Sequence, residues 1–374
     1  MELTQLMEFN VHNPQIKSID TLRSYLHVAM KIEHATLPPY LTALYSIHPS
    51  TNAAATHVLR AVVVEEMLHL ALAANLLNAV GGEPDLTRPD FMASYPAYLP
   101  DGEKDFQVHL RAFSQDTIKT FLKIEGPAMA PNDEKRLLRR PDRRGLSFLA
   151  VCPADPDLHY YSIGEFYREI DHGLDYLEKQ AQAKSKTIFT GPYELQVTSE
   201  YYYSGGGKLS PVTDLASASK AVALIIAQGE GEDQGVNGPD GELAHLYRYD
   251  QLLRGRYYQP AGPNHDKPGE PTGPQLTVDW NAVYPIKTDA KLANHTPGSE
   301  LHAAAVAFNE GYAEFLQFLT HAFNGKPAML LEAVPRMFVL RDRVNQLMRN
   351  PLADGSGLNA APTFEVGPAS ARRA

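Results

Sequence analysis

The stretch "VEEMLHLALAANLLNAVGG", residues 64–82, limits the fold more than any other part of this chain. It is apolar on every side of a helix, yet it carries Glu65, Glu66 and His69 within one turn. A carboxylate removed from water without a partner is costly, because burial strips its hydration and nothing replaces it. Something must therefore meet these residues in the fold. The helix that holds it is predicted from about Ala54 to Val80, with Gly81 and Gly82 supplying the left-handed stop.

A helix of the same kind precedes it. Residues 19–47 place Leu22, Tyr25, Leu26, Ala29, Ile32 and Ala35 at intervals of three and four, the spacing of an amphipathic helix. Pro38 and Pro39 follow Glu33 by about one turn, and each lacks an amide donor. This predicts a kink or restart there that opens the approach to Glu33. The two helices form a hairpin. Residues 83–158 lose periodicity and read as an insertion, with "MAPNDEKRLLRRPDRRG" as solvated loop.

A third helix is predicted over 160–182, where Ser162 and Glu165 form a capping box. A short strand-like segment at 187–203 follows. The fourth helical segment, 215–255, is interrupted by "GEGEDQGVNGPDG" and resumes at "ELAHLYRYDQLLRGRYY". Pro and Gly make 259–298 irregular, and peripheral helices follow at 299–324 and 327–349. The whole reads as one domain over 1–366 with a tail at 367–374. The class is all-α, a helical bundle with long insertions, extra C-terminal helices and a small β element.

Glu66-x-x-His69 sets a carboxylate and an imidazole on one helix face, one turn apart, where both reach one metal centre. The spacing recurs at Glu242-x-x-His245. Dinuclear iron or manganese bundles use two such pairs, with one further glutamate from each of two other helices. Glu33 supplies one of these. A third copy, Glu169-x-x-His172, shows that the spacing also arises by chance: His172 falls opposite the stripe of Ile163, Phe166, Ile170, Leu174 and Leu177 and reads as a surface residue. The last glutamate stays open between two candidates. Glu165 lies off its helix's apolar stripe, whereas Glu230 continues the face of Val222 and Ile226. His34, about 100° around the helix from Glu33, reads as a core histidine.

The blocks "IEHATLPPYLTALYSI", "VEEMLHLALAANLLNAVGGEP", "SIGEFYREI", "QGEGE", "ELAHLYRYDQLLRGRYY" and "APTFE" resemble the ferritin-like domain of the iminophenyl-pyruvate dimer synthase family, the bisindole-forming enzymes of violacein-type secondary metabolism. The resemblance spans roughly residues 20 to 366. It implies a ferritin-like bundle with a carboxylate-bridged diiron site, and it assigns the ligand positions to Glu33, Glu66, His69, Glu242 and His245.

The net charge of -10 disfavours nucleic acid and anionic membrane surfaces as partners. The single cysteine, Cys152, excludes an internal disulfide and a thiolate metal site, and points to the cytoplasm. The N-terminus has no cationic start followed by an apolar run, and no run reaches the length of a bilayer span. Mixed carboxylate and imidazole ligands suit two iron ions, or manganese. These readings lead to an oxygen-dependent oxidase or oxygenase whose partners are dioxygen and a small, aromatic, amino-acid-derived substrate, held in a cavity walled by Tyr and Phe. The alternative is an iron-binding ferroxidase with no organic substrate. A homo-oligomer is left open.

Overall fold

A computed structural model describes residues 15–100, 106–127, 160, 162–202, 206–231, 235–238, 241–259 and 266–366. Its helices are α1 (Ile19–Ser46), α2 (Ala53–Ala79), α3 (Gln115–Glu125), α4 (Ile163–Gln182), α5 (Leu215–Glu230), α6 (His245–Arg254), α7 (Glu300–Phe323) and α8 (Met329–Met348). The chain is all-α, as its periodicity predicts. The β element expected at 187–203 is absent: a single 3-10 turn, Tyr193–Leu195, takes its place, and the described residues contain only isolated bridges. The basic loop at 129–145, Cys152 and the tail from 367 lie outside the described residues.

The α1–α2 hairpin is the frame. Its α2 end follows the sequence signal closely: Gly81 adopts φ +70°, its N–H bonds to Asn78 O at 2.9 Å, and the Gly82 N–H reaches back to Leu77 O at 2.9 Å. This is the paired bonding that satisfies the last carbonyls of a helix. Arg23 of α1 adds Nε and Nη2 bonds to Val80 O, tying the two helices together.

α1 does not restart at its proline pair; one helix runs from Ile19 to Ser46. The missing Pro39 amide leaves Ala35 O without its helical donor, and the Tyr95 hydroxyl takes that place at 2.7 Å. A side chain from the segment between α2 and α3 thus supports the helix through the break.

α4 and α5 pack on each other, α4 against α1 and α5 against α2, which completes a four-helix core. The short helices α3 and α6 pair, and α6 meets α2 and α5. The α7–α8 hairpin also packs on α1 and α2. α2 is the one described helix long and apolar enough to cross a membrane, and most of it is buried in the protein, the position of a core helix.

Candidate metal centre

The acids of α2 are buried as the sequence demands, and each has a partner. Glu33, Glu65, Glu66, His69, Glu125 and His245 are at most 5% exposed. Two groups form among them: Glu33, Glu66 and His69 in one, Glu66, Glu125 and His245 in the other, each with ligand atoms within 4.8 Å of one another. Glu66 belongs to both. The imidazoles of His69 and His245 stack with centroids 5.4 Å apart.

Both histidines present Nδ1 to the carboxylates. His69 Nδ1 lies 3.5 Å from Glu33 and 3.8 Å from Glu66, and His245 Nδ1 lies 2.9 Å from Glu66 and 3.3 Å from Glu125. Their Nε2 atoms are held from behind. Glu65 accepts from His245 Nε2 at 2.8 Å, and its other oxygen accepts from Arg248 at 3.0 Å. Gln228 Oε1 meets His69 Nε2 at 2.9 Å, and the Gln228 amide is oriented by donating to Gly206 O at 2.6 Å. Such outer partners fix the ring orientation and leave the Nδ1 lone pair for a cation. The carboxylates are oriented in turn: Tyr167 donates to Glu33, Tyr40 to Glu125, and the Thr36 hydroxyl lies 2.9 Å from Glu66.

The electrostatics record what crowding these groups entails. Burial, and then the neighbouring charge of Glu125, push the Glu66 carboxyl up to about 7. Burial opposes a charged His69, but its hydrogen bond to Glu33 and the charge of Glu66 prevail and raise its pKa. For His245, burial is likewise outweighed by Glu125, Glu65 and Glu66, and the imidazole stays protonated well above its usual range. Burial opposes the charged Glu65 too, yet His245 and Arg248 hold its carboxyl below the ordinary range. Protons here occupy the cluster where cations would neutralise the same charge.

Of the residues singled out in the sequence, the structure brings Glu33, Glu66, His69 and His245 together, sets Glu230 in the wall of the adjoining cavity and leaves Glu242 and Glu165 outside both groups. Glu242 is not brought in. Its side chain is 71% exposed and lies 3.8 Å from Arg248. The helix begins only at His245. The preceding residues form a turn closed by Gly238 N to Glu242 O and Ala244 N to Val236 O, so the one-turn helical geometry of Glu242-x-x-His245 never exists. Glu165 sits half-buried in the first turn of α4, its N–H accepted by the cap Ser162 at 3.1 Å, and belongs to neither group.

Glu230 is the better of the two open candidates. It lines a cavity of about 20 Å³ with Glu33, Glu66, His69, Glu125, Ile124, Ile163, Gly164, Ile225 and Ile226. Its Oε2 pairs with Arg168 at 2.9 Å, while the buried Oε1 has no partner. A Cβ at position 164 would lie 2.2 Å from that oxygen, so only glycine leaves the carboxylate its place. The cavity at the cluster is walled from α3, α4 and α5, and neither Pro38 nor Pro39 lines it.

Glu125 was not found from sequence because it lies within what reads as an insertion. A signal existed: Ile118, Phe121 and Glu125 follow one stripe, and Gly126 and Pro127 stop the helix. His34 is a core residue as expected, with Nε2 at 2.9 Å from the Tyr312 hydroxyl and burial lowering its pKa to about 3. His172 is exposed, as the stripe argument requires.

The profile of the family described as Ferritin-like matches residues 26–254. The crystal structure of a ferritin-like protein from Caulobacter vibrioides is similar over 94% of this chain and 100% of that chain, with a TM-score of 0.59 and 23% identity, a likeness that concerns the fold. No curated protein matches the sequence.

Proposed function

Since the chain belongs to the ferritin-like family, we propose that it is a non-haem diiron oxidase or oxygenase of the cytoplasm. Its substrate would be small and organic, aromatic and amino-acid-derived if the resemblance to the bisindole-forming synthases extends to chemistry. The observation that carries this reading is the pair of buried ligand groups that share Glu66. A carboxylate common to two triads would be available to two cations at once, and a donor set of carboxylates and imidazoles suits iron or manganese better than softer metals.

Glu33 and His69 would hold one ion, Glu125 and His245 the other, and Glu66 both, with Glu230 available from the cavity wall. When bound, the pair would supply the reduction of dioxygen. The protein's part is to set and protect that chemistry. Tyr167, Tyr40 and Thr36 fix the carboxylates, while Gln228 and Glu65 fix the imidazoles. Ile124, Ile163, Ile225 and Ile226 form the apolar part of the wall of the adjoining space. That space of about 20 Å³ takes one or two water-sized molecules, since a water needs about 10–15 Å³ on this measure. It suits dioxygen. The aromatic walls expected of a substrate pocket are not found in it, so the organic substrate would meet the cluster from the mouth formed by Ile163, Gly164 and Glu230.

A carboxylate at that mouth also favours a second reading, ferroxidation, because it offers an arriving cation a first ligand. Stopped-flow mixing of anaerobic ferrous protein with oxygen separates the two. An oxidase gives an absorption transient in the near-ultraviolet or visible whose decay responds to an organic substrate. A ferroxidase accumulates ferric iron far beyond two per chain, and protein inert to oxygen excludes both.

A further inference from the structure

Where α7 and α8 pack on α1 and α2, a second cavity of about 50 Å³ shares no lining residue with the one at the cluster. Leu37 and Leu41 of α1, Val63 and Met67 of α2, and Phe364 form much of its apolar wall. Such a wall offers water few hydrogen-bond partners and accepts apolar groups instead. At about 10–15 Å³ per water position, it has room for an alkyl chain of roughly four or five carbons.

The "APTFE" segment closes this cavity at a conformational cost. Phe364 adopts φ +50°, a left-handed conformation that disfavours a side chain by about 1–2 kcal/mol. Asn309 of α7 holds the flanks in place. Its Nδ2 donates to Thr363 Oγ1 at 2.8 Å, and its Oδ1 accepts from Thr363 Oγ1 at 3.0 Å and from Glu365 N at 3.2 Å. The Phe364 ring then meets Phe308 and Tyr312 edge-on, each at 5.0 Å. Backbone strain that the surroundings enforce tends to gather at binding sites. The metal cluster makes no use of this segment.

The polar groups of the lining are unevenly placed. The Tyr312 hydroxyl is taken by His34. Arg341 is exposed, its guanidinium pairs with its neighbour Asp342 at 3.1 Å and lies 5.2 Å from the centre of the Phe338 ring, and an exposed pair of this kind contributes little and can yield to another anion. Tyr45 also lines the cavity, and burial raises the pKa of its phenol. Arg341 and Tyr45 are thus the polar side chains left in an otherwise hydrocarbon lining.

We infer that this cavity binds a short aliphatic monocarboxylate, its chain among Leu37, Leu41, Val63 and Met67 and its carboxylate on Arg341 and Tyr45. This site is independent of the metal reading, and the test uses the metal-free full chain so that the two stand or fall apart. Calorimetric titration with propanoate, butanoate, pentanoate and hexanoate should give saturable binding at one site, tightening about fourfold per added methylene. Arg341→Gln should weaken hexanoate by about tenfold or more, because it removes a charged hydrogen bond. Leu41→Trp should fill the cavity and abolish binding. Absence of saturation, affinity indifferent to chain length, or an Arg341→Gln variant that binds hexanoate like the parent would each overturn the assignment. If the tryptophan variant does not fold, the chain-length series and Arg341→Gln, a change at an exposed position, decide the matter alone.

Discussion

Replacing Glu66 by glutamine in the metal-free protein should make folding less sensitive to pH, and the size of the effect follows from the cluster. Burial and the charge of Glu125 raise the Glu66 carboxyl from 4.5 to about 7 in the folded chain. At about 1.4 kcal/mol per pH unit, that difference makes ionised Glu66 cost the fold about 3 kcal/mol. The sign is that of a raised pKa. The stabilising proton is fully counted below pH 4.5, where folded and unfolded chains both carry it, and the benefit is lost as pH climbs from 4.5 through about 7, where the unfolded chain gives it up first. Glutamine keeps the shape and can never ionise. Urea denaturation of chelator-treated protein at pH 4.5, 5.5 and 6.5 should therefore show the parent losing stability that Glu66→Gln retains. His69 and His245, whose pKa values are raised, add a loss of the same sign above about pH 6.5, and Glu169, whose carboxyl is also raised by burial, declines alike in parent and variant, so the difference between the two in the lower window reports Glu66. A variant that declines as steeply as the parent between pH 4.5 and 6.5 would refute the reasoning.

Three further outcomes are expected. Glu125→Ala should lose metal while Glu242→Ala retains it, measured by elemental analysis after ferrous reconstitution, because of these two only Glu125 faces His245 within the cluster. Glu65→Gln should weaken metal binding by about 10–100-fold in competition with a chelator, since it loosens the imidazole of His245 from behind without removing a ligand. Gly164→Ala should displace the Glu230 carboxylate and lower thermal stability by about 1–3 kcal/mol, the usual range for overpacking, and an unchanged melting temperature would show that the cavity yields more easily than its geometry implies.

Much of this fold is legible because helices announce themselves locally. The apolar spacing of α1, the glycine stop of α2 and the serine cap of α4 each rest on a few neighbouring residues, and the structure uses each as the sequence states it. The first half of the site is legible for the same reason: Glu66 and His69 have no polar face to escape to. The second half is not. Glu242 has the right spacing, but spacing carries geometry only inside a helix, and the turn closed on Gly238 delays the helix to His245. Its place is filled by Glu125, from a helix within a segment whose surroundings are rich in proline and charge, and nothing local reveals that α3 packs on α6. The outer layer of Glu65, Gln228 and Arg248 depends wholly on tertiary packing. Tyr95 is a similar case, since no sequence rule indicates which side chain supports the proline break of α1.

The central claim, that Glu33, Glu66, His69, Glu125 and His245 together hold two metal ions, is tested most directly by counting them. Purified protein reconstituted anaerobically with ferrous iron, freed of excess by gel filtration and analysed for metal against protein, should carry two irons per chain. A ratio near zero, or one that rises without limit as iron is added, would contradict it.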